Sequence, residues 1–267
     1  MRKIILHGGV GSNLDLSTIL DKYASLSLNY ADPLDAVVAA VKYLEDDLNF
    51  NAGTGSVMRL DGTIQMDASV MLKENFGSVI NIEFVKNPVQ VAREVMEKSP
   101  HVILAGDGAT KFARAMGHPF YDPTTEKSMK RLVEARKEAL TNPKFKIPGI
   151  QIIDTVGAVA DYDGRVAAAL STGGSVPMLR GRVGDTPIPG AGIYVGDNFG
   201  IAATGTGEEI LRKSLSFSMF NNRGNMEKYW NETFEISEFP LGIVGFNEGK
   251  KFSFANRQMA VGYSEKQ

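Results

Sequence analysis

A change of texture at residues 141–154, TNPKFKIPGIQIID, restricts the fold of this chain more than any other feature. Two prolines and a glycine between a helical and a strand-like region mark it as a linker. Before it, residues 2–6 (RKIIL) read as a short strand that runs into His7-Gly8-Gly9. Asp32-Pro33 opens a helix, with Asp at the N-cap and Pro at the first helical position. Its apolar residues Leu34, Val37, Val38, Val41, Leu44 and Leu48 keep helical spacing. Asn87-Pro88 starts a second helix with Val91, Ala92 and Val95 inward, residues 101–106 read as a strand, and helices follow near 107–116 and 125–140. Beyond the linker, residues 155–161 and 165–172 form a hairpin about Tyr162-Asp163-Gly164. A strand pair over 193–204, a helix over 208–220 and a strand-rich end over 241–263, turning at Asn247-Glu248-Gly249, complete the chain. Helices dominate the first part and strands the second. That order predicts a layered α+β protein with a largely antiparallel sheet, and excludes regular βαβ alternation.

Composition narrows the chemistry. The absence of cysteine removes disulfides, thiolate catalysis and thiolate metal sites. Three histidines, His7, His101 and His118, lack metal-pair spacing. With 29 basic and 31 acidic residues the net charge is −2, which gives no basic footprint for nucleic acid. No apolar run reaches the roughly 18 residues of a membrane helix. The opening MRKIILHGGVGSN carries too few apolar residues for a signal-peptide core, so the expected location is the cytoplasm.

Glycine is abundant, 28 of 267 residues, and clustered, as in tight turns or backbone pressed against a ligand. Small and polar residues concentrate in HGGVGS (7–12), NAGTGS (51–56), DTVGAV (154–159), STGGSVPMLRGRVGD (171–185) and ATGTGEE (203–209). Singly, each has a plain reading. HGGVGS fits neither phosphate-loop spacing. Thr206-Gly207-Glu208 reads as helix capping, with Glu208 and Glu209 at the positive helix end. Arg182 and Asp185 read as a solvated pair, Asp67 as a turn-polarising residue, and His7 as a satisfied structural histidine. Together they say more. Thr155 begins one hairpin strand and Thr172 ends the other, so the two belong near one end of one sheet. A chain cut before Thr155 would expose a threonine whose own amine, with a reference pKa of roughly 7.7–8.0, can take the proton of its hydroxyl. Such a nucleophile needs neither histidine nor cysteine.

The chain resembles the plant-type asparaginase/isoaspartyl peptidase family of N-terminal nucleophile hydrolases. The matching segments are HGG (7–9), FNAGTGSV (50–57), DGTIQMDASVM (61–71), NPVQVAREVMEKSPHVIL (87–104), DTVGAVA (154–160), STGG (171–174), GRVGD (181–185) and TGTGE (204–208), in family order. The resemblance implies a four-layer αββα sandwich. It also implies one domain, 1–267, that cleaves itself at Asp154–Thr155 into an α subunit (1–154) and a β subunit (155–267). By the same resemblance Thr155 is the nucleophile, Thr172 supports it, and Thr204 and Gly205 form the oxyanion hole. Arg182 grips the substrate α-carboxylate and Asp185 its α-ammonium, with Gly207 and Asn51 lining the substrate site. The implied substrates are L-asparagine and β-aspartyl dipeptides, hydrolysed through a threonyl ester. A loop matching Leu44–Asn51 binds sodium through backbone carbonyls in the family, although Glu45 and Asp46 equally suit an exposed helix end. No organic cofactor is implied, and the family assembles as a homodimer of cleaved αβ units. The chain departs at residue 72, a leucine where the family often has glycine, and in its short linker, which bears on the rate of self-cleavage. The lack of cysteine argues against the disulfide-bonded glycosylasparaginases, and the Arg182–Asp185 pair against the endopeptidase branch. Two other classes stay open: an unprocessed pseudoenzyme, and a small-molecule binding protein that uses the Gly-rich loops.

Overall fold

The structure is a computed structural model that describes residues 1–141 and 155–267. Most of the expected linker, and Asp154 of the expected cleavage bond, lie outside the described residues. In chain order the first part comprises β1 (Arg2–Val10), α1 (Ser17–Ser27), α2 (Pro33–Asp46), β2 (Met66–Leu72), β3 (Asn75–Ile82), α3 (Pro88–Lys98), β4 (Ile103–Ala105), α4 (Gly106–Ala115) and α5 (Glu126–Thr141). The second comprises β5 (Val156–Tyr162), β6 (Arg165–Thr172), β7 (Ile193–Gly196), β8 (Phe199–Gly205), α6 (Gly207–Lys213), α7 (Leu215–Asn221), α8 (Met226–Thr233), β9 (Leu241–Asn247), β10 (Lys250–Ala255) and β11 (Met259–Lys266). The strands form a seven-stranded sheet, β11-β1-β5-β6-β2-β3-β4, and a four-stranded sheet, β10-β9-β8-β7. All pairings are antiparallel except β3 with β4.

The hairpin β5–β6 lies at the heart of the larger sheet, and its near-continuous apolar sequence has a physical cause. Successive strand residues point to opposite faces, and here both faces are covered. Val156, Ala158, Ala160, Ala167 and Ala169 join a core with Leu20, Val37, Val41, Val91 and Val95 of α1, α2 and α3. Val159, Val166, Ala168 and Leu170 face the other way, into a core with Ala202, Val244 and Phe246 of the smaller sheet. A third core packs Phe199, Ile201 and Ile243 of that sheet against Ile210, Met219 and Trp230 of α6, α7 and α8.

The two Pro-initiated helices form as expected. Asp32 caps α2 by accepting the Leu34 N–H at 2.8 Å, and it also pairs with Arg165 of β6 at 2.5 Å. Asp32→Ala should therefore lower the unfolding free energy by about 1 kcal/mol, seen as a lower urea midpoint at unchanged slope.

Four expectations need correction. Helix α2 ends at Asp46, which leaves Leu48 half exposed rather than on a buried face. The strand at 101–106 is only β4, a three-residue edge. The helix over 208–220 is broken at Ser214, whose left-handed backbone (φ 45°) ends α6 and starts α7. Glu45 is not on an exposed helix end: it is fully buried, because its carboxylate turns inward to accept the Val89 N–H at the start of α3, at 3.0 Å.

Candidate active site

Strand register assembles the site. Val156 lies opposite Ser171, which brings Thr155 and Thr172 side by side at one end of the larger sheet. Asp67 of β2 lies opposite Thr172, and His7 of β1 opposite Gly157. From the smaller sheet, Thr204 ends β8 against this group. Its hydroxyl donates to the Thr155 carbonyl at 3.4 Å and accepts the Val10 N–H at 3.3 Å. Thr155, Thr172 and Thr204 are all buried. The Thr155 hydroxyl meets that of Thr186 at 3.1 Å, while the Thr172 hydroxyl accepts the Gly174 N–H at 2.9 Å. Asn51 closes this end. Its carbonyl accepts the Gly173 N–H at 2.9 Å, its Oδ1 accepts the Val57 N–H at 3.0 Å, and its Nδ2 donates to the Gly174 carbonyl.

The charged residues meet beside it. Arg182 forms a two-pronged pair with Glu208, Nε to Oε1 and Nη2 to Oε2, each 3.0 Å. The guanidinium hydrogen bonds hold the Glu208 carboxyl below its ordinary pKa. Asp185 is buried, so the expectation of a solvated pair fails. A side chain at Gly207 would come within 2.7 Å of Arg182 Nη2 and 3.0 Å of Asp185 Oδ1. Both charged groups thus lie against the α-carbon of Gly207. Gly205 takes φ 133°, a backbone geometry that excludes most side chains. Thr206 precedes α6 without a side-chain capping bond, and Glu208 serves Arg182 rather than the helix end alone. A pocket lined by Pro177, Met178 and Leu179 opens beside Arg182 and Glu208.

Buried titratable groups back the site. Asp67 does hold a turn-like residue: it accepts the N–H of Asn81 at 2.7 Å, and Asn81 is left-handed in a bulge of β3. Burial raises its pKa, opposed by the Asn81 N–H, Arg59, Arg182 and the Gly184 N–H. Arg59 was not foreseen. It is buried and donates to the Gln65 carbonyl at 3.0 Å and to Asn81 Oδ1 at 3.1 Å, while burial brings its pKa down to about 10. HGGVGS forms no phosphate loop. Most of it belongs to β1 and its bulge against β11, and the Ser12 hydroxyl accepts the Ala260 N–H at 2.8 Å.

His7 departs from the satisfied histidine expected. Among the described residues neither ring nitrogen makes a well-formed hydrogen bond. Burial dominates its ionisation and pushes its pKa down to about 3, partly opposed by the Thr155 backbone. The unfolded chain therefore binds a proton near pH 6.5 that the folded chain refuses, so stability falls as pH drops from 6.5 towards 3. This group alone should remove about 2 kcal/mol by pH 5. Urea unfolding at pH 7 and pH 5 should show that loss in the native chain and a much flatter response in His7→Gln.

No group of three or more potential metal-binding side chains occurs among the described residues. The loop Leu44–Asn51 offers carbonyl oxygens, the hard donors that a cation such as sodium accepts. The carbonyls of Leu44, Asp47 and Leu48 already receive the Asp47 N–H, the Phe50 N–H and the Lys127 ammonium.

Comparison with known proteins points to one family. The sequence model of the family described as asparaginase matches residues 6–228. The plant-type L-asparaginase of Pyrococcus furiosus is 45% identical over 239 residues, covering 81% of this chain and 78% of that one. The plant-type L-asparaginase of Pyrobaculum calidifontis is 39% identical over 248 residues, 87% of this chain and 83% of its own. The isoaspartyl peptidase/L-asparaginase of Macaca fascicularis is 47% identical over 190 residues, 68% of this chain and 61% of its own. With a family match over most of its length and relatives of this identity, the chain belongs to the plant-type L-asparaginase/isoaspartyl peptidase family of N-terminal nucleophile hydrolases.

Proposed function

We propose that the protein is a self-processing cytoplasmic amidohydrolase that converts L-asparagine to aspartate and ammonia, and cleaves β-aspartyl dipeptides. The observation that carries this reading is the convergence on Thr155. The Thr204 hydroxyl lies 3.4 Å from its carbonyl, Thr172 stands beside it in register, and Arg182 and Asp185 gather over Gly207. Three stacked cores around two sheets support the αββα sandwich of the family.

In the uncut chain, the Thr155 hydroxyl attacks the Asp154 carbonyl carbon, and the acyl group passes from nitrogen to oxygen. Water then hydrolyses the ester, giving chains of 154 and 113 residues and a free Thr155 amine. In the cleaved enzyme that amine takes the hydroxyl proton as Oγ1 attacks the β-amide carbon of the substrate. The Thr204 hydroxyl and Gly205 N–H receive the developing oxyanion, where one such donor is worth about 2.7–4 kcal/mol. The Arg182 guanidinium suits the α-carboxylate because its planar donors bind both oxygens at once. Asp185 takes the α-ammonium. Ammonia or an amine leaves with the proton held by the Thr155 amine, and water releases aspartate from the ester. A sodium ion on the carbonyls of residues 44–51 would brace the segment leading to Asn51, and no step of the reaction passes through it. The active form is a homodimer of cleaved units.

Incubation at neutral pH, followed by intact mass and N-terminal sequencing, tests the reading. A new terminus reading TVGAVA, with ammonia release from asparagine, is the expected result. A single chain of 28.9 kDa that stays uncut and inactive would overturn it.

A further inference from the structure

Resting on the reading of Thr155 as nucleophile, we infer that Thr186 is a positioning residue for it: its hydroxyl holds Thr155 Oγ1 at a fixed offset from the loop that carries Arg182 and Asp185. The two hydroxyl oxygens are 3.1 Å apart, hydrogen-bonding distance. Thr186 is fully buried and Thr155 nearly so, so bulk water does not compete for this contact.

Thr186 is held from behind. Its carbonyl accepts the hydroxyl of Ser69, in β2, at 2.6 Å, and Ser69 is itself fully buried. On the other side, the carbonyl of Asp185 accepts the N–H groups of Ile188 at 2.9 Å and Gly192 at 3.1 Å. The peptide groups on both sides of Thr186 are therefore fixed, and a β-branched side chain on a fixed backbone has few rotamers. Its hydroxyl stays directed at Thr155. Thr172, the nearer neighbour in the sheet, engages its hydroxyl with the Gly174 N–H. Thr186 adjoins Asp185 in sequence, so one short rigid segment registers both the substrate's amino-acid head and the attacking oxygen. The contact moves no proton in the reaction. It selects the rotamer of Thr155 from which attack occurs, in self-cleavage and in turnover.

Thr186→Val, Thr186→Ala and Thr186→Ser separate this role from packing. Misplacement of a reacting oxygen by about 1 Å can cost about 100-fold in rate. Thr186→Val should lower kcat by about 10- to 100-fold, with KM for asparagine and the affinity for aspartate within about twofold because the clamp is intact. Self-cleavage should slow by a similar factor, and Thr186→Ser should recover most of both rates. Thr186→Ala gives a second hydroxyl-free variant if valine disturbs folding, with thermal melting as the control. If the native protein cleaves and turns over while Thr186→Val and Thr186→Ala match it, this inference falls and the assignment of Thr155 stands. Equal loss in the Ser, Val and Ala variants, tracking a fall in Tm, would also overturn it by exposing a packing role. A native protein that neither cleaves nor hydrolyses would overturn both.

Discussion

Thr155→Ala is expected to give one uncut chain of 28.9 kDa and to abolish asparagine hydrolysis, a loss on the order of 10⁴-fold or more, as when other hydrolases lose their nucleophile. Both effects follow from one atom. In the proposed mechanism Oγ1 attacks the chain's own carbonyl and later the substrate. Without the cut the Thr155 nitrogen stays an amide, which cannot act as a base. Stability should fall by about 1–3 kcal/mol, because the buried Thr186 hydroxyl loses its partner, while the bond from the Thr204 hydroxyl to the residue 155 carbonyl does not depend on the side chain at 155. Thr155→Ser keeps the oxygen but drops the methyl that restricts χ1, so it should cleave, more slowly. Intact mass over time, with coupled ammonia detection, reads all three chains. A Thr155→Ala protein that is still cut before residue 155, giving a terminus that reads AVGAVA, or that turns over asparagine, would remove Thr155 from both roles.

Local chemistry made part of this molecule legible in advance. Asp-Pro and Asn-Pro fix the starts of α2 and α3, and Asp163-Gly164 and Glu248-Gly249 turn the hairpins, with positive φ at all four turn residues. Those signals act over a few residues and survive whatever the tertiary context does. The hairpin β2–β3 was missed because its turn is made by Lys73-Glu74 with Lys73 left-handed, where no glycine or asparagine announces it. Its first strand, MDASVML, alternates weakly because both faces are covered. Helix α1 was missed because it starts after a short turn capped from Asn13 rather than from a capping residue of its own. At the site, register could be argued from one hairpin, which is why Thr155 and Thr172 were paired correctly. Thr186 could not be found that way. It lies one residue past the recognised GRVGD segment, and its contact with Thr155 depends on how the loop folds back over β2. The burial of Glu45 and the pairing of Arg182 with Glu208 are likewise products of packing between elements far apart in sequence.

Substitution of Arg182 or Asp185 by Ala should separate turnover from maturation. The proposed clamp would recognise a free amino-acid head, and the proposed scissile bond within the chain has no α-carboxylate or α-ammonium to offer. Self-cleavage should therefore proceed in both variants while asparagine hydrolysis fails. Truncating one partner of a desolvated, hydrogen-bonded charge pair costs about 2–5 kcal/mol, so kcat/KM should fall by about 10²–10³-fold or more. Arg182→Ala frees Glu208, about half exposed, which water can solvate, so its folding penalty should be small. Asp185→Ala empties a buried site beside Gly192 and Gly207 and should cost more stability. Arg182→Lys keeps the charge but cannot bind both carboxylate oxygens in one plane, and should fall between native and Ala. Before substrate binds, Glu208 holds the guanidinium with the same two-pronged geometry that a substrate carboxylate would use. Steady-state kinetics on fully cleaved Arg182→Ala and Asp185→Ala enzymes decide the matter. Unchanged kcat/KM in both would show that the substrate's amino-acid head is held elsewhere, and loss of self-cleavage in step with turnover would show that these residues serve Thr155 rather than the substrate.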